Sequence, residues 1–277
     1  MKRNGAGSGP RRGPVVLWIT VLAIAGGAGP GPDDRPRPED DGTFRPTVLI
    51  RKGSAQGSGT VIASVKGETL VLTAAHVVKG RGRPLVELHR YNLGVEGIGP
   101  REGWPVAIEA EVAGADEAAD IAILRVRRLP ALPYVARLAA SDDEPARGTL
   151  VTSVGIDLGT HLSSWQARVV EVAWFEMDGG AERPFLITTK TPEFGRSGGG
   201  LFLEDGTLVG VCIGRAHLYE RQRSGIFASA ASIRQLLRDA ELDAAVVRSE
   251  ARHRALTRRA RPTDRAPIVT TRSRSAP

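Results

Sequence analysis

The chain has 277 residues, 41% hydrophobic and 25% charged, which excludes a disordered or low-complexity polypeptide and fits one large domain or two small ones. Its single cysteine, Cys212, excludes a disulfide framework within the chain and, lying in the apolar run Leu208–Ile213, reads as a small buried hydrophobe. The formal net charge of +7 belongs to the ends: Lys2, Arg3, Arg11 and Arg12 at the start, and nine arginines against Glu250 and Asp264 from Ala244 onward, so no basic face on a folded body is implied.

In chain order, residues 1–14 are basic and glycine-rich, Val15–Ala25 is an uncharged apolar run, and small residues follow through Ala28. That layout over residues 1–28 is that of a signal peptide, with a short uncleaved membrane anchor as the alternative; the run is shorter than the ~20 residues a comfortable span needs. Arg11-Arg12 reads as two charges of a basic leader rather than a twin-arginine signal. The expected location is therefore exported, periplasmic or secreted. Residues 29–45 are rich in Pro and Asp with almost nothing apolar, and predict a solvated linker.

From Thr47 short apolar runs recur between Gly, Pro and charged turns. They predict strands near Thr47–Lys52, Gly59–Ser64, Thr69–Thr73, Leu85–His89, Pro105–Glu111 and Ile121–Arg125. A second series falls near Leu150–Val154, Ser163–Val172, Phe185–Thr188, Leu201–Phe202, Leu208–Ile213 and Gly225–Ala228. Many short strands with turn signals indicate a sandwich or barrels. Ile233, Leu236 and Leu237 stand at helical spacing within Ala230–Leu242 and predict a closing helix. Residues 244–277 lack apolar periodicity and predict a basic disordered tail; contact with an anionic surface, lipid or nucleic acid, is the alternative to a simply solvated segment. The folded domain is thus expected over residues 46–243.

Three segments carry chemistry: Thr73-Ala74-Ala75-His76, Ala119-Asp120-Ile121-Ala122 and Gly195-Arg196-Ser197-Gly198-Gly199-Gly200. A serine hydroxyl is a weak nucleophile at neutral pH. It needs a base to take its proton, an acid to hold that base, and N–H groups to receive the oxyanion. His76 ends an apolar strand, Asp120 opens another, and Ser197 sits in a glycine-rich turn. Asp120 abuts Ile121-Ala122-Ile123-Leu124, where a half-buried acid needs a partner; Asp116 and Glu117 read as solvated turn residues. The remaining histidines (His89, His161, His217 and His253) lack an equivalent context. Neither HExxH, a Cys/His cluster, a calcium loop, a P-loop nor a dinucleotide fingerprint occurs, so no metal or cofactor is expected.

The order His, Asp, Ser with these words resembles the chymotrypsin-like, trypsin-fold serine peptidases, closest to the HtrA/Deg-like bacterial branch. Gly57-Ser58-Gly59-Thr60-Val61-Ile62, Val71–Val78, Asp120–Val126, Gly155-Ile156-Asp157-Leu158-Gly159 and Leu208-Val209-Gly210-Val211 match as well, so the resemblance covers roughly residues 46–240. It implies an all-β fold of two six-stranded antiparallel β-barrels with a short C-terminal helix, His76 and Asp120 from the first barrel and Ser197 from the second. It implies a serine endopeptidase acting on polypeptides, with Ser197 as nucleophile, His76 as base, Asp120 as orienting acid and an acyl-enzyme intermediate. The Gly195 and Ser197 N–H groups would form the oxyanion hole. Thr191, Pro192, Ile213, Gly214 and Arg215 would line the substrate pocket, with no acid at its base unless Glu193 points inward, which favours a small or medium apolar P1 residue. A protease-fold binding or scaffold protein with a dormant site is the rival reading.

Two departures from the family pattern stand out. Arg196 occupies a position where many relatives carry Asp or Asn; its side chain is expected to face solvent, with substrate contact as the alternative, and animal-type zymogen cleavage is not expected. The residues after the closing helix do not read as foldable, so the PDZ domain that many HtrA-like proteins carry is not expected there. No oligomeric state is indicated.

Overall fold

The described strands fall into two seven-stranded sheets. The computed structural model describes residues 41–95, 103–177, 180–219 and 222–260. The expected signal or anchor segment, residues 29–40 of the expected linker, and residues 261–277 of the tail lie outside the described residues.

The first sheet holds β1 (Thr47–Lys52), β2 (Ala55–Val65), β3 (Glu68–Ala74), β4 (Leu85–Leu88), β5 (Val106–Glu109), β6 (Glu111–Asp116) and β7 (Ile121–Arg127), ordered β5-β4-β1-β2-β3-β7-β6 and antiparallel throughout. The second holds β8 (Arg137–Leu138), β9 (Leu150–Asp157), β10 (His161–Phe175), β11 (Arg183–Thr188), β12 (Gly200–Phe202), β13 (Thr207–Tyr219) and β14 (Gln222–Ser229). Pairing of β12 with both β9 and β13 closes six of these into a ring, with β8 added parallel to β13. The all-β expectation holds, and the second half is the expected six-stranded barrel; the first sheet differs, being a seven-stranded half-barrel left open between β5 and β6.

The central strands read as unbroken apolar runs because both of their faces are covered. On β3, Leu70 and Leu72 point into a core shared by the two sheets while Val71 faces the core of the first sheet alone. On β7, Ile121 and Ile123 join the shared core, and Ala122, Leu124 and Val126 the other. The shared core also takes Phe185, Phe202, Val211, Ile213 and Ile226 from the second sheet. The strands that end at His76 and begin after Asp120 are therefore anchored in the packing between the two halves.

Helix α1 (Ala230–Asp239) follows β14 and buries Ile233, Leu236 and Leu237, as their spacing predicts. A second helix, α2 (Asp243–Ala260), occupies the first half of the expected disordered tail and corrects that expectation. It docks on the first sheet: Ser64 N–H donates to Ser249 Oγ (2.8 Å), Arg252 Nη1 donates to Leu132 O (3.0 Å) and Arg248 pairs with Glu68 (3.1 Å). The face that docks is made of small residues, Ala245 and Ser249, beside Leu242, so the sequence shows no strong apolar stripe. Among the described residues no helix is long and apolar enough to cross a membrane.

Candidate active site

His76 lies in one 3₁₀ turn, Ala75–Val78, at the end of β3, and Asp120 directly precedes β7. Because β3 and β7 pair antiparallel with Ala74 opposite Ile121, the end of one strand meets the start of the other. Three hydrogen bonds fix the junction: Ala75 N–H to Asp120 O (2.9 Å), His76 N–H to Asp120 Oδ1 (2.8 Å), and His76 Nδ1 to Asp120 Oδ2 (2.5 Å). Asp120 is 5% exposed and adopts a left-handed φ of 52°, a conformation that a residue with a Cβ holds only where the surroundings fix it. With its carboxylate on Nδ1, the imidazole carries that proton toward Asp120 and leaves Nε2 as the basic nitrogen. Asp116 is not the solvated turn residue expected: Oδ1 accepts from Ala118 N–H (3.0 Å) and Ala119 N–H (3.2 Å), and Oδ2 pairs with Arg183 Nε (2.8 Å). Glu117 is exposed, near Lys79 (3.5 Å).

Ser197 comes from the second half, in the loop before β12. Its carbonyl accepts from Ser58 N–H on β2 (2.7 Å). Gly57 is the shim between the two halves: a Cβ there would lie 2.6 Å from Val77 Cγ2, beside His76, and 2.8 Å from Ser197 O. Gly198 is packed tighter still, since a Cβ would fall 2.0 Å from Ser58 O and 2.4 Å from Thr73 Oγ1. No hydrogen bond joins the Ser197 hydroxyl to His76 among the described residues. Such bonds are often long in a free enzyme and tighten on the substrate.

Every carbonyl from Phe194 to Ser197 is engaged. Phe194 O accepts from Leu158 N–H (2.6 Å), Gly195 O from the Ser58 hydroxyl (2.9 Å), Arg196 O from Gly199 N–H (2.8 Å), and Ser197 O from Ser58. Arg196 N–H donates to Glu193 O (3.3 Å) and Gly198 N–H to Cys212 O (2.7 Å). Among the described residues, the Gly195 and Ser197 N–H groups donate to no protein acceptor, and they are the two assigned to the oxyanion from the sequence.

Arg196 corrects the sequence reading: its side chain is neither solvent-facing nor at the substrate but fully buried, 0% exposed. Nε and Nη2 grip both oxygens of Asp157 (2.9 and 2.6 Å), Nη1 donates to Ser153 O (3.1 Å), and Nη2 meets Ser163 Oγ. The guanidinium lies 5.1 Å from the Trp165 ring centre. An arginine is almost never fully buried unless paired; Asp157 stood in the Gly155–Gly159 word, yet nothing local in the sequence couples it to a residue 39 positions on.

Of the pocket residues, Pro192 and Ile213 are buried and Thr191 is half-buried. Gly214 faces open space, with nothing within 4 Å of a Cβ placed there. Arg215 stacks over the Phe194 ring at 4.4 Å. Glu193 is exposed. His161 is exposed at the start of β10, and the His217 side chain lies outside the described residues. Burial pushes the Cys212 thiol up to about 12, so it stays protonated and unreactive at neutral pH.

The sequence matches the family model of the trypsin-like peptidase domain over residues 57–211, more than half of the chain. No curated protein matches it. Among solved structures, Rv3671c from M. tuberculosis H37Rv in an inactive form aligns with a TM-score of 0.58 at 25% identity, covering 79% of this chain and 97% of that one. The active form of the Rv3671c protease from M. tuberculosis gives 0.58 at 24% identity, with 80% and 92% covered. The MamO protease domain from Magnetospirillum magneticum, apo form, gives 0.55 at 18% identity, with 70% and 96% covered. The last two likenesses bear on the fold alone. With the match over residues 57–211 and this site at the junction of two β-barrel halves, the chain belongs to the trypsin-like peptidase family and is a serine endopeptidase of HtrA-like fold, with polypeptides as its substrates.

Proposed function

We propose that the enzyme cleaves polypeptides through a His76–Asp120–Ser197 triad and an acyl-enzyme. Ser197 Oγ attacks the scissile carbonyl carbon while His76 Nε2 takes its proton. Asp120 holds the imidazole by Nδ1 and offsets the charge it gains. The tetrahedral oxyanion is received by the Gly195 and Ser197 N–H groups. Collapse breaks the C–N bond, and the proton on Nε2 passes to the leaving amine. Water, deprotonated by the same nitrogen, then releases the carboxylic acid and restores the serine.

The observation that carries this reading is the bonding pattern of residues 194–199, where every carbonyl up to Ser197 is taken up and the two N–H groups required for an oxyanion are left over. A loop that only shaped the fold would have no reason to leave those two donors together. The pocket lining of Pro192, Ile213 and Gly214 supports a small or medium apolar P1 residue, and the exposure of Glu193 agrees with it.

The test is cleavage of unfolded casein by the whole chain beside Ser197→Ala, with fluorophosphonate labelling of both. Turnover and labelling by the parent, both lost in the variant, are expected. A parent that neither cleaves nor labels would leave a protease fold used for binding.

A further inference from the structure

The backbone around Ser197 is oriented by a device that the triad does not include. The peptide unit is planar and trans, so a carbonyl and the N–H that follows it point opposite ways. Phe194 O is drawn to Leu158 N–H (2.6 Å) in the turn between β9 and β10, which aims the Gly195 N–H away from that turn. Arg196 O is drawn to Gly199 N–H (2.8 Å), which aims the Ser197 N–H the other way. The second unit begins at Arg196, whose side chain runs back to the β9–β10 turn and takes both oxygens of Asp157.

The site is built to receive that side chain. A Cβ on Gly155 would meet Arg196 Cγ at 2.9 Å, and one on Gly199 would meet Arg196 O at 2.9 Å and Val154 O at 2.5 Å. Ser163 Oγ donates to Asp157 Oδ2 (2.6 Å), the Asp157 carbonyl accepts from Thr160 N–H (3.1 Å), and Leu158 holds a left-handed φ of 52°. Gly195, at φ 89°, lies so close to the turn that a Cβ would be 2.8 Å from Ile156 O and 2.9 Å from Leu158 N. The turn and the serine loop thus form one interlocked unit, with a bidentate ion pair between a fully buried Arg196 and a largely buried Asp157 as its rivet.

We propose that the Arg196–Asp157 pair is a positioning device that keeps the Gly195 and Ser197 N–H groups directed at the cleft. The oxyanion site is thereby ordered from within the folded domain. This rests on the serine-nucleophile reading above. Arg196 touches no substrate; it acts on the Ser197 N–H through the peptide unit it begins, and on the Gly195 N–H through the Gly195–Arg196 peptide, whose carbonyl is held by the Ser58 hydroxyl.

The test separates oxyanion orientation from folding. Arg196→Lys keeps the charge and loses the fork; Asp157→Asn keeps the shape and loses the charge. Each is compared with the parent for kcat and KM on a fluorogenic peptide and for inhibition by the matching peptide aldehyde, whose hemiacetal oxygen needs the same two donors. Thermal unfolding reports the folded fraction. Folded variants are expected to lose ~10²–10³-fold in kcat, as loss of an oxyanion donor does, with KM little changed and aldehyde affinity falling in step. A folded variant with parental kcat and aldehyde affinity overturns the proposal. So does loss of the fold in both variants, which would assign the pair to core stability. Ser197→Ala is carried alongside: if it turns over like the parent, the nucleophile reading fails and not the ion pair alone.

Discussion

Asp120 combines two demands that few residues meet together. It sits at φ 52°, where glycine is cheapest and Asn and Asp are the best tolerated alternatives, and it supplies both carboxylate oxygens to His76, one to the backbone N–H and one to Nδ1. Asp120→Asn keeps the conformation and the first acceptor but turns an amide donor toward Nδ1, so the imidazole must carry its proton on Nε2 and cannot act as base. The expected loss is about 10⁴-fold in kcat, the size known for the equivalent change in a trypsin-type triad. Unfolding temperature should stay close to that of the parent. Steady-state kinetics on a peptide ester decides it, and an activity within tenfold of the parent would remove Asp120 from the triad. His76, Asp120 and Ser197 could be singled out in the sequence because each stands in a local word whose residue types the proposed chemistry needs. Arg196 was not legible, because nothing in its neighbours reveals that an acid waits for it one β-turn away in the other strand pair. Its burial costs desolvation that the bidentate pair, the Ser153 and Ser163 contacts and the Trp165 ring offset.

The elements read correctly where an apolar run had a face to bury. Where the sequence failed, small or polar residues made the contact. Strand β6 carries Glu111, Gly114 and Asp116, with no apolar run, and is held by pairing with β7 and by close approach of α1: a Cβ on Gly114 would fall 2.8 Å from Ala240 Cβ. The end of α1 supplies a stability test. Leu242 N–H donates to Leu237 O (2.8 Å) and Glu241 N–H to Arg238 O (3.0 Å), with Glu241 at φ 56°. This is the Schellman arrangement, in which the left-handed position is ordinarily glycine. Glu241 is exposed, so Glu241→Gly removes about 1–2 kcal/mol of left-handed strain against about 0.5–1 kcal/mol of added backbone entropy in the unfolded chain. The net expectation is a gain of about 0.5–1 kcal/mol, read as a rise of about 1–4 °C in Tm for a domain of this size. A fall in Tm would mean that the Glu241 side chain contributes more than its backbone costs.

At the scale of the molecule, the proposed base and acid, His76 and Asp120, come from one half and the proposed nucleophile, Ser197, from the other, so the proposed activity depends on how the halves are held. The shared core does part of this, and the two C-terminal helices add a strap: α1 leaves the last strand of the second sheet and packs its apolar face into the shared core, and α2 crosses onto β2 of the first sheet. The small-residue contact that hid α2 from the sequence also makes it testable. Ser249 is 1% exposed, and its hydroxyl accepts the Ser64 N–H. Ser249→Ala leaves that N–H buried without a partner, at a cost of about 1–3 kcal/mol. It should lower the urea midpoint at unchanged m value and leave kcat at 25 °C as in the parent, since Ser249 touches neither His76, Asp120 nor Ser197. Removing residues 243–277 takes away the whole contact, including the Arg252 bond to Leu132 O and the Arg248 pair with Glu68. It should cost more stability than Ser249→Ala, and it should also lower kcat, because the first half then loses a brace against the second. If the truncated chain unfolds at the parental midpoint with parental kcat, α2 is an appendage and the shared core alone fixes the register between Ser197 and His76.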